Sequence, residues 1–270
     1  MKYALYQMNV HVANPEKNRE KIASWIEKQM METKPDTIVL PEMWNTGYAL
    51  DQLEPIADQN GKATIPFLSN LAKEFSVNIV GGSVANKKED GIYNSSFVLN
   101  REGEVIHRYD KIHLVPMLDE PKYLEGGRNK AGHFELDGVK MGVVICYDLR
   151  FPELLRPLAL NGAKVIHIVA QWPSARIEHW KYLLHARAIE NQCYIIAVNS
   201  SGSCKETQFA GESLVIDPAG KLVTSGPSEK EASLHVTLQL EKVTETRKSI
   251  PIFTSRVPHL YESVKGDFHA

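Results

Sequence analysis

The sequence predicts an α/β fold built on a mixed sheet. Three observations carry this prediction. Short apolar runs alternate with stretches of helical periodicity, Gly-containing turns join other apolar runs directly as hairpins, and no Pro-, Ser- or charge-rich linker divides the chain. A single domain over 1–270 is therefore expected, and 270 residues can bury a core without a disulfide or metal staple.

The elements follow in order. Residues 3–10 read as a first strand, Asn14 as a helix cap and Pro15 as a first helical residue whose missing N–H costs nothing there. Ile22, Trp25, Ile26 and Met30 then form one apolar stripe. Residues 37–40 are a strand buried on both faces, which Pro41 ends and which delivers Glu42 at its carboxyl end. A helix over 66–75, a strand over 78–84 and a hairpin pairing 93–99 with 104–109 come next. Turn residues also set hairpins at 134–141 and 214–222. Between them lie a strand ending at Cys146, a helix over 151–160, a strand over 165–169, a helix over 176–191 and a strand over 194–198. A final strand spans 233–238, and from about 241 to 270 the less regular chain reads as a tail on the body or on a partner subunit.

Composition narrows the function classes. Thirty-one Lys and Arg stand against 33 Asp and Glu, too balanced for a surface that tracks phosphates, so no nucleic-acid partner is expected. No apolar run reaches membrane-span length and the amino terminus lacks signal-peptide character, which points to a cytoplasmic protein with no membrane partner. Three cysteines without Cys-x-x-Cys spacing read as thiols. Nucleotide-binding Gly patterns and the zinc spacing His-Glu-x-x-His are both missing, so neither cofactor nor metal is expected, and His113, His179 and His185 read as packing or surface residues. The sequons at Asn94 and Asn199 carry no information in a cytoplasmic protein.

Three residues carry chemistry. Cys146 sits at a strand-to-turn-to-helix position, where helix N–H groups are expected to stabilise a thiolate; taken alone, such a cysteine is more often core, the reading that suits Cys193 and Cys204. Lys111, directly after a strand, suits an oxyanion stabiliser or a surface lysine. Glu42 suits a general base or a solvated rim residue.

Together these residues stand in three motifs: Leu40-Pro-Glu-Met-Trp44, Tyr109-Asp-Lys-Ile-His-Leu114 and Val144-Ile-Cys-Tyr-Asp-Leu-Arg-Phe-Pro-Glu153. In these motifs and their order the chain resembles the nitrilase superfamily of carbon–nitrogen hydrolases, a likeness that extends to Gln7, Gly81-Gly82 and Arg187-Ala-Ile-Glu-Asn-Gln192 and runs to about Pro218. The resemblance implies a four-layer α-β-β-α sandwich of two mixed six-stranded sheets and at least a homodimer. It also implies roles: Cys146 as nucleophile, Glu42 as general base and acid, Lys111 as stabiliser of the tetrahedral intermediate, and Glu120 as a supporting glutamate that fits better than Glu125. The backbone N–H of Tyr147 would join Lys111 at the oxyanion.

Gln171-Trp-Pro-Ser-Ala-Arg-Ile-Glu-His-Trp180 is similar to the omega-amidases, which release ammonia from terminal amides of 2-oxo acids such as 2-oxoglutaramate and 2-oxosuccinamate. Trp172 would then wall the pocket, and Arg176 or Arg150 would hold a substrate carboxylate or merely bridge a neighbouring acid. The alternatives are an N-carbamoyl amino acid hydrolase or a nitrilase, and, from another class, a non-catalytic binding module of the same fold. A papain-like Cys–His site lacks its cysteine context here.

Overall fold

The structure, a computed structural model, describes residues 1–261. Two mixed sheets lie face to face with helices outside. The first runs in the order Ala232–Thr237, Lys2–Gln7, Thr37–Val39, Asn78–Val80, Gly91–Leu99, Val84–Lys88 and Asp58–Gln59, with Val105–Asp110 also paired to Gly91–Leu99. The second runs Leu222–Ser225, Leu214–Ile216, Tyr194–Asn199, Val165–Ala170, Val139–Ile145 and His133–Leu136. The four-layer sandwich stands, with one difference of detail. The first sheet has eight strands, not six, because Gly91–Leu99 is long enough to pair with three neighbours and the two-residue strand Asp58–Gln59 adds an edge.

Alternation along the first strand shows how the layers are made. Tyr3 and Leu5 point between the sheets toward Val143 and Val165, whereas Ala4 and Tyr6 point outward onto Ile22, Trp25 and Ile26 of helix Pro15–Glu32. That helix begins as its sequence predicts, with Asn14 Oδ1 accepting from Lys17 N at 3.1 Å and Pro15 at the first position. Helix Thr64–Phe75 shares its layer. Trp180, Leu184 and Ala188 of helix Ile177–Asn191 cover the second sheet, but Leu183 is only partly buried.

Three expectations need correction. The first strand stops at Gln7, and the segment read as one strand over 78–84 is two, broken by Gly81 and Gly82. The segment from 241 is also more regular than its charges suggest. Glu241–Ser249 is a helix, buried through Val243 and tied down by Arg247, which donates to the carbonyls of Gln192 at 3.2 Å and Ala163 at 2.8 Å. The rest of that expected tail, 262–270, lies outside the described residues. Among the described residues, no helix is long and apolar enough to cross a membrane.

Parallel pairing positions the site. Lys2–Gln7, Thr37–Val39 and Asn78–Val80 are parallel in one sheet, and Val139–Ile145, Val165–Ala170 and Tyr194–Asn199 are parallel in the other. Glu42, Cys146, Gln171 and Asn199 therefore all emerge at carboxyl ends of parallel strands, where α/β sheets place their ligands.

Candidate active site

Glu42 leaves its strand through a constrained turn. Gly82, at φ +61°, packs so tightly on this turn that an added Cβ would meet Pro41 O at 2.0 Å, and Ser83 N donates to the same carbonyl at 3.1 Å. The delivered carboxylate is fully buried. Its Oε1 accepts from Asn94 Nδ2 at 2.8 Å and Lys111 Nζ at 2.9 Å, with Tyr48 Oη at 3.1 Å, while its Oε2 accepts from Gln171 N at 2.7 Å. Gln171 Nε2 in turn donates to Glu42 O at 2.8 Å, so side chain and main chain are both held.

Lys111 is equally buried and donates to Glu42 Oε1 and, at 2.8 Å, to Glu120 Oε1. Burial opposes its charge, but Glu120 and Glu42 outweigh that effect and hold the ammonium protonated well above the ordinary lysine range. Glu120, also fully buried, accepts from Tyr48 Oη at 2.6 Å and through Oε2 from Val115 N at 2.8 Å. The single phenolic proton of Tyr48 belongs to this shorter bond, because two other donors already serve Glu42 Oε1. An ammonium has three protons; two go to carboxylates, leaving one for a ligand.

Cys146 ends its strand at φ +45°, a left-handed conformation that non-glycine residues rarely adopt. The turn that follows, Cys146–Arg150, is organised by Asp148, whose carboxylate accepts from Ile145 N at 3.2 Å, Tyr109 Oη at 2.7 Å and both His113 N and Nδ1, at 3.0 and 2.9 Å. Here the structure corrects the expected thiolate. Burial first, then the Glu42 carboxylate, push the thiol well above its ordinary range, and Lys111 only partly offsets them. The 3-10 turn Cys146–Arg150 does not reverse this, and the α-helix Pro152–Leu160 starts six residues later. The resting thiol is protonated and needs a base.

A narrow cleft opens on Cys146, walled by Leu118, Tyr147, Arg150, Trp172 and Arg176. Every cleft residue singled out in the sequence is thus brought together. Trp172 is fixed by donating through N to Asn199 Oδ1 at 2.6 Å and through Nε1 to Arg176 O at 2.8 Å. Arg150 lies over the rings of Trp172 and Tyr147, 4.8 and 5.5 Å from their centroids. Arg150 Nη1 also lies 3.4 Å from His179 Nδ1, and among the described residues neither Arg150 nor Arg176 pairs with a carboxylate.

Sequence reasoning missed Tyr48, Asn94, Asp148, Gln171 as a clasp, and Asn199. Asn94 and Asn199, set aside as sequons, are both fully buried hydrogen-bonding residues of this site. The available signal was their place: polar residues inside or ending otherwise apolar strands. Cys193 and Cys204 are buried free thiols apart from the cleft, as expected of core cysteines.

A carbon–nitrogen hydrolase family model matches residues 2–248. The chain is 51% identical to the hydrolase in the agr operon of Staphylococcus lugdunensis, over 84% of this chain and 97% of that protein. It is 43% identical to the 2-oxoglutaramate amidase of Bacillus subtilis, over 94% of this chain and 97% of the relative. The crystal structure of Saccharomyces cerevisiae Nit3, a member of branch 10 of the nitrilase superfamily, superposes with a TM-score of 0.86 at 31% identity, covering 93% of this chain and 94% of Nit3. The chain therefore belongs to the nitrilase superfamily and is a carbon–nitrogen hydrolase.

Proposed function

We propose that this hydrolase releases ammonia from the terminal amide of a small 2-oxo acid, 2-oxoglutaramate or 2-oxosuccinamate, through a thioester on Cys146. The observation that carries the reading is the buried Glu42–Lys111–Glu120 array beside a protonated thiol. Among the described residues Glu42 Oε2 receives one donor, Gln171 N, and so keeps a lone pair for the thiol proton. As that proton leaves, sulfur attacks the amide carbon, and the oxyanion is met by the third Lys111 proton and the Tyr147 N–H.

Glu42 then returns the proton to the amide nitrogen, the C–N bond breaks, and ammonia departs. Water enters, Glu42 takes one of its protons as the hydroxide adds to the thioester, and on collapse the C–S bond breaks, the acid leaves and Glu42 passes that proton to the departing sulfur, restoring both thiol and carboxylate. Glu120 holds Lys111 and Tyr48 in place without touching the reacting atoms. Arg150 and Arg176, without acidic partners among the described residues, meet the substrate carboxylate, and Trp172 forms the wall between them. The likeness to the Bacillus subtilis 2-oxoglutaramate amidase supports this substrate class over N-carbamoyl amino acids and nitriles.

The enzyme works in the cytoplasm as a homodimer, needing no cofactor. Three free thiols suit that reducing compartment, and helix Ile177–Asn191 keeps Tyr182 and Ile189 exposed as an apolar face for a second copy. The test is ammonia release from 2-oxoglutaramate and from an N-carbamoyl amino acid by wild type and Cys146→Ala. Keto-amide turnover that vanishes in the variant is expected. Turnover of the carbamoyl compound alone, or turnover that survives Cys146→Ala, overturns the proposal.

A further inference from the structure

We infer that Leu118 is a size filter: a single side chain that walls the nucleophile's cleft off from two larger compartments and so limits the length of acyl group that reaches Cys146. The inference rests on Cys146 being the nucleophile. The cleft on Cys146 has a volume of only about 20 Å³, room for about one water. Leu118 also lines a cavity of about 200 Å³ bounded by Tyr48, Asp51, Lys205 and Phe209. It lines a third, of about 240 Å³, with Ser174, Arg176, Thr207 and Gln208. Among the described residues, Leu118 alone borders all three. Joined, they reach the several-hundred-Å³ range of small-molecule sites, about 300–1,000 Å³.

The filter is held in place by the catalytic array. Leu118 closes the short turn Pro116–Leu118, and that turn is bracketed by Glu120, whose N–H donates to Val115 O at 3.2 Å while its carboxylate accepts from Val115 N. The carboxylate that sets Lys111 therefore also sets where Leu118 stands. The third cavity shares Pro173 and Arg176 with the cleft, so truncating Leu118 extends the cleft first in that direction, past a guanidinium suited to an acidic substrate end. Leu118 is partly exposed and adjoins existing space, so its truncation leaves the fold intact.

The experiment compares wild type, Leu118→Ala and Leu118→Phe in two assays. In the first, the Cys146 peptide is followed by mass spectrometry during alkylation by iodoacetamide and by its bulkier N-phenyl homologue. Leu118→Ala is expected to raise the bulky-to-small rate ratio about tenfold, and Leu118→Phe to lower it. In the second, ammonia release is measured from terminal amides of five-, six- and seven-carbon acids, where Leu118→Ala shifts kcat/KM toward the longer chains by a similar factor. Ratios unchanged in both variants overturn the filter. Because the alkylation ratio requires no turnover, it stays decisive even if Cys146→Ala retains activity, the result that would sink the mechanism instead.

Discussion

Burying a histidine between two sheets makes acid the weak point of this fold. His167, in the strand Val165–Ala170, is fully buried, 5.8 Å from the Tyr3 ring of the opposite sheet and 6.1 Å from Phe134, and its Nδ1 meets Gly142 O at 3.0 Å. Burial lowers its pKa from 6.5 to about 4, the bond to Gly142 resisting only in part. The unfolded chain therefore binds the extra proton between those values, and stability falls as pH drops from about 6.5 toward about 4. At pH 4.5 the penalty is about 2.5 kcal/mol, against nearly nothing at pH 7. For a chain of this size that lowers Tm by about 5–10 °C.

His167→Asn keeps an N–H for Gly142 O but cannot titrate. It loses packing equally at every pH, so the informative quantity is its Tm at pH 7 minus that at pH 4.5, set against the same difference in wild type, measured by differential scanning calorimetry. The variant's difference should be smaller by about 5 °C or more. His107, across the Phe134 ring and likewise lowered to about 4 by burial, remains in both proteins and cancels. Equal differences in the two proteins would refute the argument from burial.

Other outcomes follow from the site. Glu120→Gln places a mixed donor and acceptor where Lys111, Tyr48 and Val115 all donate; kcat should fall on the order of 100-fold with KM little changed. If KM alone moves, Glu120 contacts substrate and does not merely position Lys111. Arg150→Ala and Arg176→Ala should each raise KM for a keto-acid amide about tenfold while sparing a neutral amide, as loss of a charged hydrogen bond requires. Equal effects on both amides would assign these arginines to packing on Trp172. Tyr182→Asp with Ile189→Asp should turn a sedimenting dimer into a monomer, and a wild-type monomer at micromolar concentration would remove the helix from consideration as an interface.

The elements that were legible in the sequence are those that local chemistry determines. Asn14 and Pro15 mark a helix start wherever the chain goes, and the alternation in Lys2–Gln7 fixes which residues face helices and which face the other sheet. Glu42, Lys111 and Cys146 stood out because their motifs are contiguous, and Glu120 through the family resemblance those motifs carry. Residues whose meaning depends on long-range partners did not. Tyr48 matters because Glu120, 72 positions later, returns to its hydroxyl, and Gln171 because it reaches Glu42 across 129 positions. The thiol's acidity was misread for the same reason: the sequence displays a nearby turn but not the carboxylates that gather around the sulfur.

The mutual grip of Glu42 and Gln171 has a consequence for how activity arises during folding. Glu42 grows from one sheet and Gln171 from the other, and each holds the other's backbone or side chain. Cys146 and Glu42 likewise belong to different halves of the sandwich. Neither sheet alone holds the sulfur beside Glu42, so a nascent or partly denatured chain carries a thiol of ordinary acidity without the array that the proposed hydrolysis requires. The proposed hydrolysis begins only when the two halves close, which confines it to molecules that have finished folding.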